Sequence, residues 1–268
     1  MTTISTRRVA LVTGGSRGLG RALAQRLAAD GFDVAVASRS REQLERVVQE
    51  IASAGGRALA LRCDVRKDED VARTVTEVRR RFGPITLLVN NAGVAGPMGP
   101  VGTVDPAAWW DAQVVHLRGA LLFMSAVVPD MASHGGGRIV NVCSQAGTFV
   151  APNYSSYAVA KCSLIRLSEH VAAERRQQNI QVFPIQPGTI ITDMARDALA
   201  SPEARQWAQP LMALLEKLTS EDSDRAMNKL QNFVSQLARG HWDALSGQYL
   251  DVEQDLTALL RESADRGR

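Results

Sequence analysis

The chain has 268 residues, 45% of them hydrophobic and 22% charged, with a formal net charge of +3. This composition belongs to a globular protein with room for a large core, and it excludes a disordered, collagenous or strongly basic nucleic-acid-binding chain. The clustered cations Arg79, Arg80, Arg81, Arg175 and Arg176 fall at predicted helix ends, where the dipole favours them, so no nucleic-acid partner is expected.

In chain order, residues 9 to 12 form an apolar run predicted as a buried strand. It ends in a turn carrying Gly14, Gly15, Gly18 and Gly20, and Leu19, Leu23 and Leu27 follow at helical spacing. Strand, glycine turn and helix make an anion-binding device. Glycine lets the backbone approach a ligand, and the helix start aims unpaired N–H groups and a positive dipole end at a phosphate. Residues 32 to 37 read as a second strand. Leu44, Val47, Val48 and Ile51 mark a helix face that Gly55 and Gly56 stop, and 58 to 63 read as a third strand followed by Asp64. Val71, Val75, Val78 and Phe82 mark the next helix. Residues 86 to 89 form a fourth strand running into Asn90, Asn91, Ala92 and Gly93.

After a Gly/Pro-rich loop over 94 to 106, residues 109 to 131 read as one long helix or two end to end. A fifth strand over 138 to 143 leads to Ser144, a long helix spans 155 to 178, and a sixth strand spans 180 to 185. Residues 190 to 246 break this rhythm. Met194, Leu199, Trp207, Leu211, Leu215, Leu218, Leu230, Phe233, Leu237 and Trp242 lie among many charges and predict two or three helices forming a lid or wall. Residues 247 to 252 are a candidate last strand, and 261 to 268 are expected to fray.

Alternating strands and helices with short connections predict an α/β fold with a doubly wound parallel sheet of about seven strands, covered by helices on both faces. Ligands of such sheets sit at the carboxyl ends of the strands, where the glycine turn, Asp64, Asn90 to Gly93 and Ser144 all fall. Cys63, Cys143 and Cys162 have no metal-ligand spacing and are odd in number, which suggests reduced thiols and a cytoplasmic location, with no metal. No apolar signal core follows the polar start at residues 1 to 8, and no segment approaches the about 18 apolar residues of a membrane span.

Tyr157 and Lys161 stand four residues apart near the start of a predicted helix, and so on one face of it. A free phenol, with a pKa near about 10, exchanges protons poorly at neutral pH. A neighbouring ammonium favours the phenolate, and a phenol so tuned can give a proton to a carbonyl oxygen or take one from an alcohol. By itself such a pair is also common on helix surfaces. Here it stands in order with Thr13-Gly-Gly-Ser-Arg-Gly-Leu-Gly20, Asn90-Asn-Ala-Gly93, Ser144 thirteen residues before Tyr157, and Pro187-Gly188.

Together these motifs resemble the classical short-chain dehydrogenase/reductase family, over about residues 7 to 193 with a weaker echo near 245 to 252. The resemblance implies one Rossmann-type domain over residues 1 to 268, with 190 to 246 as a helical substrate-binding insertion. It implies Tyr157 as catalytic acid or base, and Lys161 lowering its pKa and holding the nicotinamide ribose. Ser144 would hold the substrate oxygen; a plain strand-end hydroxyl is the alternative. Gly14, Ser16, Arg17, Gly18, Leu19 and Gly20 would cradle the cofactor phosphates. Asn91, Ala92 and Gly93 would wall the cofactor, with Asn90 supporting the central strand. Asp64 and Val65 would meet the adenine, unless Asp64 is a helix N-cap. Pro187, Gly188, Ile190 and Thr192 would border the nicotinamide.

One position departs from the family pattern. In Val115-His116-Leu117-Arg118-Gly119, His116 stands where the family usually has an Asn that helps hold a water on a proton path to the lysine. The histidine either holds water or relays a proton, or is a packed helix residue with no role.

The second strand ends Ala37-Ser38-Arg39, so Ser38 fills the slot where NAD enzymes carry an acidic residue for the ribose 2′-OH. Arg39 can fork onto a 2′-phosphate, and Arg17 adds a second cation, so NADP(H) is expected over NAD(H). The expected activity is NADPH-dependent reduction of a carbonyl on a medium-to-bulky hydrophobic small molecule. The alternatives are alcohol oxidation and an NADP-binding regulator without turnover. A homodimer or homotetramer is implied through the two long helices after strands four and five, where Leu121, Leu122, Val127, Leu164 and Leu167 supply apolar surface.

Overall fold

A computed structural model describes residues 8 to 266. In chain order the elements are β1 (Val9–Thr13), α1 (Gly18–Ala29), β2 (Asp33–Ser38), α2 (Arg41–Ser53), β3 (Arg57–Arg62), α3 (Asp68–Phe82) and β4 (Leu87–Asn90). Next come α4 (Pro106–Gln113), α5 (Gly119–Ser133), β5 (Gly137–Val142), α6 (Ser155–Arg175) and β6 (Ile180–Gln186). The chain closes with α7 (Asp193–Ala200), α8 (Pro202–Trp207), α9 (Gln209–Lys217), α10 (Ser220–Ala238), β7 (Leu250–Asp251) and α11 (Leu256–Arg266).

The strands form one seven-stranded parallel sheet in the order β3-β2-β1-β4-β5-β6-β7. β1, β4, β5 and β6 are buried almost throughout, because helices cover both faces. One apolar layer joins α1, α2 and α10 to the sheet through Leu23, Leu27, Leu44, Leu230 and Leu237. The opposite layer joins α3, α5 and α6 through Val75, Val78, Phe123, Met124 and Leu164. The strand order reverses between β1 and β4, which opens a crevice at their carboxyl ends.

Several expectations need correction. The region 190 to 246 contains four helices, not two or three, and α10 is no lid. Its Leu230, Phe233, Val234 and Leu237 are core residues packed with α1. Only α7, α8 and α9 stand apart, around a small cluster of Met98, Ala204, Met212 and Leu215. The expected fray at the end is instead α11 up to Arg266; residues 267 and 268, and the start at 1 to 7, lie outside the described residues. The helical run Pro106–Ser133 is also long and apolar enough to cross a membrane, with a window hydropathy of 1.4, contrary to the sequence reading. Half of that window is buried in the protein, and Phe123, Met124 and Met131 face the sheet, as expected of a core helix. Val127 and Leu164 are core residues too, 1% and 2% exposed, and so are not free to meet another subunit.

The run over 109 to 131 is neither one regular helix nor two. Residues Val114–Arg118 form a π turn between α4 and α5. A π turn inserts an extra residue per turn and rotates its side chains out of helical register. The rotated residue is His116, which is buried.

Candidate active site

The crevice holds a cavity of about 610 Å³ that runs from the glycine turn past the ends of β2, β4 and β5 to α7 and α9. Of the residues singled out for cofactor and catalysis, all but Gly20 line it. Gly20 serves packing instead: a Cβ there would lie 2.3 Å from the Gly14 carbonyl oxygen and 2.5 Å from Asn91 Nδ2.

The turn after β1 needs glycine at Gly14 and Gly18, where φ is +63° and +52°. It is locked to the end of β4 by Thr13 and Asn91. Thr13 Oγ1 accepts from the Asn91 and Ala92 N–H groups at 3.0 and 3.1 Å. Asn91 Nδ2 donates back to the Thr13 and Gly14 carbonyls at 3.0 and 3.2 Å. Asn90 crosslinks the sheet by donating to Asn141 Oδ1 at 2.9 Å, and Asn141 donates on to Ser168 at 2.8 Å.

The fit to a dinucleotide phosphate is testable on the protein alone. Arg17 at the N-cap of α1 makes no side-chain cap, so the first N–H groups of this twelve-residue helix are uncapped and face the cavity. Ser38 Oγ, at the carboxyl end of β2, is buried with no hydrogen-bond partner among the described residues. Arg17 lies 3.6 Å from Asp193 at the start of α7, Ser16 Oγ donates to Gln43, and Arg39 is exposed at the rim. The N-cap alternative for Asp64 does not hold. Lys67 holds the N-cap position of α3 and makes no side-chain cap, while the Asp64 carboxylate accepts from the Arg66 backbone N–H and pairs with its guanidinium at 2.7 Å. That hydrogen-bonded pair, chiefly, holds the Asp64 carboxyl below the usual carboxylate range.

Deeper in, α6 delivers Tyr157 and Lys161, and the end of β5 delivers Ser144. The Ser144 hydroxyl and the Tyr157 phenol stand beside each other in the cavity wall. Ser144 is held by the short turn Gln145–Gly147, since its Oγ accepts from the Ala146 N–H at 3.2 Å. Gly147 lets that turn press on α6, where a Cβ would come within 2.7 Å of the Cys162 nitrogen. Lys161 Nζ donates to the Val142 carbonyl at 2.7 Å and lies 5.5 Å from the centre of the Tyr157 ring.

Burial pushes the Tyr157 phenol up to about 12, and the neighbouring Ser144 hydroxyl, which favours the phenolate, offsets this only in part. Burial also pushes the Lys161 ammonium down to about 8. The expected lowering of the phenol by Lys161 is not found; burial sets the direction. Lys161 is buried and Tyr157 half-buried, and desolvation disfavours the charged form of each. At neutral pH the protein presents a phenol that carries its proton.

His116 meets the Tyr157 ring edge-on, with centroids 5.3 Å apart and planes at 90°. Tyr154, which the sequence reading passed over, stacks on the same ring at 4.9 Å and 7°. His116 Nε2 lies 2.7 Å from the Val94 carbonyl and 3.2 Å from the Val94 nitrogen. One ring nitrogen cannot donate to the carbonyl and accept from the amide at once, and the shorter contact assigns Nε2–H to the carbonyl. Nδ1 is then a bare acceptor, buried and unpartnered among the described residues. Burial, and then the charge of Lys161, push this imidazole down to about 3. Gly93 makes room for the ring, since a Cβ there would fall 2.6 Å from His116 Cε1.

Pro187 and Gly188 line the cavity beyond β6, Ile190 is buried beside them, and Thr192 caps α7 through its Oγ1. The outer mouth is apolar, with Phe149, Met194, Leu211 and Leu214. Phe149 and Leu214 are exposed there. Phe149 sits in a short loop with no periodic pattern, and the sequence offered no signal for it.

A parallel sheet with an uncapped helix start at its switch point, and a Ser–Tyr–Lys group lining the same cavity, defines a dinucleotide-binding oxidoreductase. The short chain dehydrogenase family matches residues 8–203, and the chain belongs to this short-chain dehydrogenase/reductase family of oxidoreductases. It is similar to the 3-oxoacyl-[acyl-carrier-protein] reductase FabG of Staphylococcus epidermidis, with 32% identity over 91% of this chain and 96% of that protein. It is similar in structure to an actinorhodin polyketide ketoreductase variant with NADPH, with a TM-score of 0.78, 27% identity and coverage of 94% and 97%. It also resembles a metagenomic short-chain oxidoreductase in complex with NADP, with a TM-score of 0.70, 30% identity and coverage of 86% and 90%.

Proposed function

We propose that the protein reduces a ketone on a medium-to-bulky hydrophobic small molecule, using NADPH. The observation that carries this reading is the placing of the Ser144 and Tyr157 hydroxyls together in a cavity that starts at the glycine turn and ends at an apolar mouth. When bound, the nicotinamide cofactor supplies the hydride. Ser144 orients the carbonyl oxygen and stabilises the negative charge that grows on it. Tyr157 gives its proton to that oxygen, which suits a phenol protonated at neutral pH. Lys161 lies beside Tyr157, and its ammonium would stabilise the phenolate left as the proton leaves. Phe149, Met194, Leu211 and Leu214 select for apolar bulk by excluding water.

NADP(H) is favoured over NAD(H) because Ser38 brings no negative charge to the ribose, and Arg39 and Arg17 lie on the same rim. Two similar structures, named as holding NADPH and NADP, support this choice. We also infer a homodimer or homotetramer, supported by the exposed Trp110, Leu121 and Val159 on α4, α5 and α6. The test of the reaction is loss of NADPH absorbance with a panel of bulky ketones, run beside NADH. Turnover with NADPH on at least one ketone is expected; oxidation of alcohols with no ketone reduced at any pH would replace the reading.

A further inference from the structure

Six arginines surround the end of the cavity nearest β2 and β3: Arg17, Arg39, Arg41, Arg62, Arg66 and Arg73. Four of them are committed to carboxylates. Arg41 pairs with Glu45, Arg66 with Asp64 and Arg73 with Asp70, each at 2.7 Å, and Arg17 with Asp193 at 3.6 Å. Arg39 and Arg62 have no carboxylate partner among the described residues.

These two lie on one hollow. A separate, smaller recess of about 370 Å³ shares Arg39 and Asp64 with the cofactor cavity and is lined as well by Arg62, Lys67, Asp70 and Arg73. Its two carboxylates are already used: Asp64 by Arg66, and Asp70 by Arg73 and the Asp64 N–H. The recess therefore keeps unneutralised positive charge. Register fixes where Arg62 stands. Ser38 on β2 is the direct partner of Arg62 on β3. Adjacent strands lie about 4.8 Å apart, and paired residues leave the sheet on the same face. The buried, unpartnered Ser38 hydroxyl is thus flanked by Arg39 along its own strand and by Arg62 across the sheet.

We propose that Arg62 is a further specificity residue for the 2′-phosphate of NADP(H), beyond Arg39 and Arg17, clamping with Arg39 and the Ser38 hydroxyl a group that either exposed arginine alone would hold loosely. This rests on the NADP(H) reading above. Arg62 at the end of β3 and Arg39 just past the end of β2 offer two forked donors at one recess, which a single screened surface charge does not. The rival role is to keep the open edge strand β3 solvated. Arg57 at the other end of β3 shows what a structural arginine there does. It pairs with Asp33 at 2.8 Å and lies over Phe82, whereas Arg62 has no such tie.

The test is calorimetric binding of 2′,5′-ADP and 5′-AMP, which differ only in the 2′-phosphate, to the full-length wild type, Arg62→Ala and Lys67→Ala. Arg62→Ala should bind 2′,5′-ADP about tenfold more weakly and 5′-AMP within about twofold of wild type. Lys67→Ala should lose much less. An unchanged 2′,5′-ADP affinity in Arg62→Ala overturns the proposal, as does an equal loss for both nucleotides or an equal loss in Lys67→Ala. A wild type that binds the two nucleotides equally well instead overturns the NADP(H) reading itself. Because Arg62 is exposed, its urea midpoint should not move, which separates binding from folding.

Discussion

The neutral, buried His116 makes acid stability measurable. Its ordinary value is 6.5 and burial holds it at about 3 in the folded protein. A depressed native pKa means that stability is complete above the unfolded value and is lost as the pH falls below it, because the unfolded chain takes up a proton that the folded one refuses. The loss begins near pH 6.5, grows by about 1.36 kcal/mol per unit and levels off near pH 3. Between pH 7.5 and pH 5 it amounts to about 2 kcal/mol. In His116→Asn that term is gone, while the other titrating groups remain and cancel in the difference. Asn can also donate to the Val94 carbonyl and accept from its amide with separate atoms, which the single Nε2 cannot do. Urea unfolding of both proteins at pH 7.5 and 5 reads the effect. The wild type should lose about 2 kcal/mol more than the variant on acidification. Equal acid losses in the two proteins would refute a neutral buried imidazole.

Other outcomes follow from the same geometry. Arg39→Asp should shift preference from NADPH toward NADH by about tenfold or more in the ratio of kcat/KM values, and an unchanged ratio counts against the cation at the ribose. Gly20→Ala places a methyl on the Gly14 carbonyl and should cost roughly 1–3 kcal/mol in urea unfolding, a loss absent if the turn can shift freely. Thr13→Val strips the acceptor from two amides and should cost about 2 kcal/mol; a neutral result would show that those N–H groups find water. Lys161→Met should abolish turnover yet raise stability at pH 7, because the buried ammonium is disfavoured below its native value of about 8. That advantage should shrink as the pH rises from about 8 to 10.5, and an advantage constant with pH would contradict it.

The sheet and most of the site were legible because their signals are local. A strand, a glycine turn and a helix lie in one stretch, and Tyr157 and Lys161 share a helix face by spacing alone. Features decided by packing at a distance were not legible. Nothing in Val-Val-His-Leu-Arg marks a π turn; the extra residue is accommodated because His116 finds room over Gly93 and a hydrogen bond at Val94. The apolar spacing of Leu230, Phe233 and Leu237 shows a helix, but not that its partner is α1 in the core rather than the cavity mouth. Thr13 is one more strand residue until Asn91, 78 positions later, is known to meet it. The phenol's pKa was misjudged for the same reason. The sequence shows the ammonium four residues on and hides the burial that raises the phenol.

The central claim is that the Tyr157 hydroxyl delivers the proton. The direct measurement is ketone reduction by Tyr157→Phe at saturating NADPH, with NADPH binding to the same protein followed by fluorescence. The account predicts intact binding and a rate lower by about 10² to 10⁴. Wild-type turnover in a variant that has lost only this oxygen would contradict it.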